Sequence, residues 1–213
     1  EAVQAACRRH GTLLVLDETH TLSSGPGGLG RRLGLQPDFL VAGKAVAGGM
    51  PCAVYGFTDA VAERMARTKE AAPEGHSGIG TTLSGGLLGL AALQACLAEV
   101  MTPAAWARME AGAARLQAAL EQVIAARALP WSVTRLGARM ELQFCARAPC
   151  DAREAAAAMH APLERLLHLW LLNRGVLLTP FHDMLLVSPE TDDAAIDRVA
   201  ALLDRFLAGL TPA

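Results

Sequence analysis

The chain has 213 residues, is 52% hydrophobic with a mean hydropathy of +0.28, and carries a net charge of −2. That is enough apolar material for one domain or two small ones with a sizeable core, and with no basic run it argues against a nucleic-acid partner. No stretch approaches the roughly 18 uninterrupted apolar residues of a membrane span; the longest candidate, Leu166 to Leu172, contains His168 and is bracketed by Arg165 and Arg174.

Taken along the chain, residues 1–9 are a polar amphipathic stretch that reads as a helix feeding the strand behind it. No secretory signal is visible in it, and because it opens on Glu1 rather than Met the chain reads as the later part of a longer polypeptide. Thr12-Leu13-Leu14-Val15-Leu16-Asp17 is a short apolar run closed by an acid, then by Glu18-Thr19-His20-Thr21 and a Gly/Ser/Pro loop. Such a run, bounded by turn residues, predicts a buried parallel strand near 12–16. Open α/β sheets hold ligands at the carboxyl ends of such strands, and Asp17 stands at that end; its plainer use is to cap the turn that follows. Gly25-Pro26-Gly27-Gly28-Leu29-Gly30 lacks the strand-to-helix placement of a dinucleotide loop and reads as a flexible active-site loop or merely a turn.

A second strand is expected near 38–42, and it runs directly into Gly43-Lys44-Ala45-Val46-Ala47-Gly48-Gly49-Met50-Pro51. Lys44 is one of only two lysines, with Lys69, among 19 basic residues. At the end of an apolar run its ammonium is expected to be half desolvated, which lowers a lysine pKa and frees the amine as a nucleophile. The plainer reading is a surface lysine between two strands. The spacing from Asp17 to Lys44 allows one loop-and-helix crossover, so neighbouring strands would present a carboxylate and an amine to one crevice. A carboxylate facing a cationic ring nitrogen, with a lysine on the ring's aldehyde, is what a pyridoxal phosphate enzyme needs.

Further strands and helices follow: a strand near 52–57, a helix near 58–68 capped at Thr58-Asp59, a polar loop from Thr68 to Gly80, and a helix near 84–100. His76 lies in that loop, solvated or lining a substrate entrance. Thr102-Pro103 starts an Ala-rich helix to about Ala128. We read 1–102 as part of a larger α/β domain, 103–128 as a connecting helix and 129–213 as a smaller α+β domain. There, strands are expected at 132–134, 140–144, 176–178 and 184–187, a capping-box start at Asp151 with Glu154, a break at Pro162, a helix stop at Gly175, and a last helix with Ile196, Val199, Leu203, Phe206 and Leu210 on one face. His160 and His168 read as helix residues without a role. No His/Cys/Asp/Glu set has metal-ligand spacing, and no serine-nucleophile elbow is present. Five cysteines without a CxxC spacing point to reduced thiols and a cytoplasmic setting.

Three motifs carry a resemblance. Asp17-Glu18-Thr19-His20-Thr21, the Gly43–Pro51 segment and Gly80-Thr81-Thr82-Leu83-Ser84-Gly85 occur in the order found in class III aminotransferases. The chain is similar to the branch of glutamate-1-semialdehyde aminomutase and the β-amino-acid aminotransferases, and looks like its C-terminal half. The resemblance implies an α/β fold of the fold-type I pyridoxal phosphate kind, with a mostly parallel large-domain sheet and a smaller C-terminal α+β domain. It implies pyridoxal 5'-phosphate bound to Lys44 as a Schiff base, and Asp17 on the pyridine nitrogen. Thr19 would sit under the ring where the family usually has valine, His20 within reach of the ring's phenolic oxygen, and Thr82 on the cofactor phosphate of a neighbouring subunit. Ala47 stands where the family pattern has a third glycine.

On this resemblance the chain is an aminotransferase moving an amino group between an amino acid or amine and an oxo acid, working as a homodimer with a shared active site. Two alternatives stay open: the intramolecular amino transfer of the aminomutase, and a truncated or non-catalytic member. Phe181-His182-Asp183 lies where family members place residues near the substrate. Arg135 and Arg139 are candidates for binding a substrate carboxylate, although a structural use is the simpler one.

Overall fold

The computed structural model describes residues 1–76, 80 and 84–210, which fall into two compact units, Glu1–Pro103 and Ala104–Ala213. The first unit begins with α1 (Ala2–Arg9), whose last turn carries Arg8 and Arg9 against the negative end of the helix dipole. Its sheet has the order β1 (Val15–Asp17), β2 (Phe39–Ala42), β3 (Val54–Phe57). β1 and β2 are parallel, with Asp17 beside Val41; β2 and β3 are antiparallel, with Ala42 beside Val54. The expected mostly parallel sheet is therefore mixed over the strands this chain supplies. The cause is chain length: residues 43–53 are too few for the crossover a parallel neighbour needs, which takes a dozen or more residues.

Asp38 ties the strand starts together. Its carboxylate accepts from the Leu14 amide at 2.7 Å, its own amide donates to the Leu14 carbonyl at 2.9 Å, and its carbonyl accepts from Thr58. Between β1 and β2 lie a 3₁₀ turn (Thr21–Ser24) and the short α2 (Gly28–Arg32). After β2 comes a second 3₁₀ turn, Lys44–Ala47, ended by Gly48 in the left-handed region. Then follow α3 (Asp59–Glu70), with Thr58 as an extended N-cap, α4 (Leu87–Ala95) and a π turn over Cys96–Val100. Buried apolar residues are sparse in this unit (Ala42, Val46, Ala47, Val61 and Cys96), while Leu87 is 85% and Leu88 70% exposed.

The second unit is better filled. α5 (Pro103–Ala126) starts with proline at its first position, where the missing N–H costs nothing. It supplies Ala113, Leu116, Leu120 and Ile124 to one continuous core. An antiparallel sheet, β4 (Ser132–Leu136), β5 (Arg139–Gln143) and β6 (Met184–Leu186), adds Val133, Met140, Leu142 and Leu185. α6 (Ala152–Ala158) is capped by Asp151, whose carboxylate accepts from the Glu154 amide at 2.7 Å. The chain then breaks and resumes as α7 (Ala161–Leu172), with Pro162 in its first turn and His160 as the cap, its Nδ1 accepting from Leu163. Gly175 follows at φ +77, and α8 (Asp193–Leu210) buries Ile196, Leu203 and Phe206. Among the described residues no single helix is long and apolar enough to cross a membrane.

Residues 176–178 are not a strand. Val176 and Leu178 are buried while Leu177 is 75% exposed, so the alternation is real. The ladder is missing because the Leu178 carbonyl lies 2.6 Å from His168 Nδ1 instead of pairing with a neighbouring strand. His168, given no role by sequence, thus fixes the segment that follows α7.

Candidate active site

β1 and β2 run parallel and end together, so Asp17 and the residues after Ala42 emerge at the same edge of the sheet. Two things then hold Lys44 there. Val46 and Ala47 are each only 2% exposed and anchor the 3₁₀ turn that Lys44 begins, and the Cys96 thiol in the π turn donates to the Ala45 carbonyl at 3.4 Å. Lys44 itself has φ +53, a left-handed conformation that costs a non-glycine residue about 1–2 kcal/mol. Strain of this kind persists only where the surroundings enforce it, and here the buried neighbours Val46 and Ala47 do so.

The expectation that Lys44 is half desolvated is not met by this chain's own residues: the side chain is exposed and makes no hydrogen bond among the described residues. The β2 strand, itself buried only at Ala42, ends before it. Its charge nevertheless reaches Asp17.

Asp17 is held by its neighbour. The Thr19 hydroxyl and amide both donate to Asp17 Oδ1, the amide at 2.8 Å, leaving Oδ2 without a partner among the described residues. These two bonds are the main reason the Asp17 carboxyl lies below its ordinary value of 3.8; its limited desolvation works against them, and the charges of Lys44 and then His20 add to the lowering. A depressed carboxyl is ionised across the neutral range, and whatever stability it contributes is present there and lost as pH falls through its folded pKa. We expect Thr19→Val, which deletes the larger of the two bonds and keeps the shape, to raise the Asp17 midpoint toward 3.8 in a carboxyl-carbon NMR titration. An unchanged midpoint would show that the hydroxyl is not what lowers it.

With its hydroxyl turned to Asp17, Thr19 presents its methyl toward Gly43: a Cβ built on Gly43 would lie 3.5 Å from Thr19 Cγ2 and 3.5 Å from the Ala53 Cβ. That is ordinary contact, and Gly43 is extended at φ −154, so nothing within this chain demands glycine there. Gly48 and Gly49 do have backbone reasons, with φ of +62 and +99.

Glu18, to which the sequence reading assigned no task, is 1% exposed. Its carboxylate accepts from the Thr21 hydroxyl, the Leu29 amide at 3.1 Å and the Gly30 amide at 2.5 Å, folding the whole 21–32 segment back onto the end of β1. The glycine-rich run is therefore an ordered turn, and its composition answers to Glu18. A Cβ on Gly28 would come 2.5 Å from Glu18 Oε2, and one on Gly30 would come 2.7 Å from Oε1 and overlap Leu16 Cδ2. The available signal was an acid at a strand end followed by closely spaced glycines.

The structure thus gathers Asp17, Thr19, His20 and Lys44. Thr82 lies outside the described residues. His76 lines a cavity beside α3 with Phe39, Phe57 and Lys69. In the second unit, Arg135 is engaged by Gln117 and the Gly137 carbonyl, which makes it structural. Cys150, Asp151 and Glu154 bring ligand atoms within 4.8 Å of one another, a grouping the spacing did not suggest. They are already used: Asp151 caps α6, and Glu154 accepts from the Cys150 amide and thiol and from Arg147.

The family model described as Aminotransferase class-III matches residues 1–203. The glutamate-1-semialdehyde 2,1-aminomutase of Myxococcus xanthus is 35% identical over 181 residues, which are 84% of this chain and 40% of that protein. The beta-phenylalanine transaminase of Variovorax paradoxus is 33% identical over 211 residues, 98% of this chain and 46% of that one. A solved glutamate-1-semialdehyde-aminomutase variant from Pseudomonas aeruginosa, in complex with PMP, matches at 44% identity with a TM-score of 0.91, covering 98% of this chain and 47% of its own. The chain spans less than half the length of each of these proteins, and its fold is that of the fold-type I aminotransferases.

Proposed function

The chain belongs to the class III aminotransferase family, and from that premise we propose that it carries the lysine side of a pyridoxal 5'-phosphate site that moves an amino group between an amino acid or amine and an oxo acid. The observation that carries the proposal is the meeting of Asp17 and Lys44 at one sheet edge, close enough for the lysine's charge to act on the carboxyl.

The residues present fit the cofactor. Lys44 Nζ is exposed and free of hydrogen bonds among the described residues, as an amine that must bond to an aldehyde needs to be. Asp17 is ionised, with Oδ2 left over for a protonated ring nitrogen. The Thr19 methyl offers an apolar contact beside Gly43, and Gly48 and Gly49 leave open space above the backbone. When bound, pyridoxal phosphate supplies the electron sink for the bond broken at the amino-bearing carbon. Lys44 holds the cofactor's aldehyde carbon and, once released from it, carries a proton to and from the substrate carbon. Asp17 keeps the ring nitrogen protonated. His20, whose charge also acts on Asp17, flanks the same edge.

Thr82 stays assigned to the cofactor phosphate on sequence grounds, and with it a homodimer sharing its active sites. Residues 129–213, with their antiparallel sheet, are taken as the small domain behind the connecting helix 103–128, and the setting as cytoplasmic.

A second reading has its own support: the relatives at 35% and 44% identity are named aminomutases. A need for an external acceptor separates the two. With cofactor and amino donor alone, a transaminase converts one equivalent and stops until an oxo acid is added. Continuous isomerisation without an acceptor would favour the aminomutase. No spectral change of added cofactor with any donor would overturn both.

A further inference from the structure

Thr19 stands where the ends of β1 and β2 come together, and each branch of its side chain serves one of them. It follows β1 by two residues and is half-buried. Its hydroxyl donates to Asp17 Oδ1, which its own amide also reaches at 2.8 Å. Its methyl faces the start of the Lys44 turn: a Cβ built on Gly43 would lie 3.5 Å from Thr19 Cγ2. A β-branched side chain has few χ1 rotamers, so the contact that fixes the methyl also fixes the hydroxyl.

A carboxylate held by one oxygen has one oxygen to offer. Oδ1 takes two donors, and Oδ2 takes none among the described residues. An aspartate without such bonds turns about χ1 and about a broad terminal torsion, and presents either oxygen in several directions. With Oδ1 committed, Oδ2 has one direction, and a partner that meets it there does not have to order the side chain first. The other charged groups nearby do not do this. The hydroxyl and amide of Thr19 are the largest influences on the Asp17 carboxyl, ahead of the charges of Lys44 and His20. Glu18, the next residue, is turned away onto Thr21, Leu29 and Gly30.

Resting on the reading of Asp17 as the partner of a protonated ring nitrogen, we propose that Thr19 is its positioning residue: the hydroxyl commits Oδ1, so that Oδ2 alone meets the nitrogen, in a fixed direction. Affinity gained through the ring nitrogen then depends on Thr19, and affinity gained through the phosphate or the ring face does not. The hydroxyl also keeps the Asp17 carboxyl below its ordinary value. A contact that needs the ionised carboxyl is present above the folded pKa and lost as pH falls through it. Without the hydroxyl that loss begins at higher pH.

The test is calorimetric titration of the chain, of Thr19→Val and of Thr19→Ser with pyridoxamine phosphate and with its analogue in which C–H replaces the ring nitrogen. Neither ligand has an aldehyde, so Lys44 forms no bond and only non-covalent contacts are read. Thr19→Val keeps the methyl and removes the donor. It should weaken pyridoxamine phosphate about three- to tenfold, leave the analogue unchanged, and move the acid limb of pyridoxamine phosphate binding to higher pH. Thr19→Ser keeps the donor and should bind both ligands as the unsubstituted chain does. A general disturbance of the site would weaken both ligands alike. In the free chain, NMR couplings to the Asp17 β protons should show one χ1 rotamer, kept in Thr19→Ser and averaged in Thr19→Val. Equal weakening of the two ligands, no weakening, Thr19→Ser as weak as Thr19→Val, or an Asp17 rotamer untouched by Thr19→Val would overturn the proposal. Binding of neither ligand by the unsubstituted chain would overturn the cofactor reading and the proposal with it. The couplings need no ligand and tell the two failures apart.

Discussion

Lys44→Ala is expected to lower amino transfer by about a hundred- to ten-thousand-fold, with the fold unchanged. The side chain is exposed and makes no hydrogen bond among the described residues, so its loss leaves no cavity and no orphaned partner. The left-handed backbone at φ +53 strains alanine as it strains lysine. What disappears is the only amine at the sheet edge; Lys69, the other lysine, lies at the end of α3. Added methylamine should restore a small part of the rate, since it supplies a proton carrier without the tether. A loss below about tenfold, with the fold intact by circular dichroism, would mean that Lys44 is not the reacting group.

Gly30→Ala should destabilise the first unit by about 2–3 kcal/mol and depress activity without touching any reacting atom. The new methyl would overlap Leu16 and crowd the Glu18 carboxylate, whose bonds to Thr21, Leu29 and Gly30 hold the 21–32 segment on the end of β1. Gly34→Ala is the control. It has a positive φ of +64, which Gly30 lacks, but its Cβ meets nothing within 4 Å, so it should cost only about 1–2 kcal/mol of backbone strain. Hydrogen exchange over residues 21–32 reads the difference. Faster exchange in Gly30→Ala than in Gly34→Ala is expected, and equal exchange would remove Glu18 from its positioning role.

The strands at 15–17, 39–42 and 54–57 were legible because each is a short apolar run between turn residues, and the Asp17–Lys44 pairing followed from placing two of them side by side. The direction of β3 was also readable in principle, since the stretch between Ala42 and Val54 is too short for a parallel return. Position-by-position reading could not reach contacts made across the sequence. Glu18 is an ordinary acid until the Leu29 and Gly30 amides are folded onto it. His168 looks like a helix residue until the Leu178 carbonyl arrives beside it. Asp183 resembles turn chemistry, which it is, and only burial beside Glu141 and Glu164 makes its charge a problem. Lys44 is exposed for a related reason: an apolar run marks a strand but not what covers it or the residue beyond its end, and even Val15 within β1 is 58% exposed.

The central claim is that Lys44 is the residue that takes pyridoxal phosphate, and covalent trapping tests it most directly. The protein is incubated with the cofactor, reduced with borohydride, digested, and the modified peptide is mapped by mass. The account predicts one pyridoxyl group per chain, on Lys44, absent from Lys44→Ala. Label confined to Lys69 or the amino terminus, or no label at all, would contradict it.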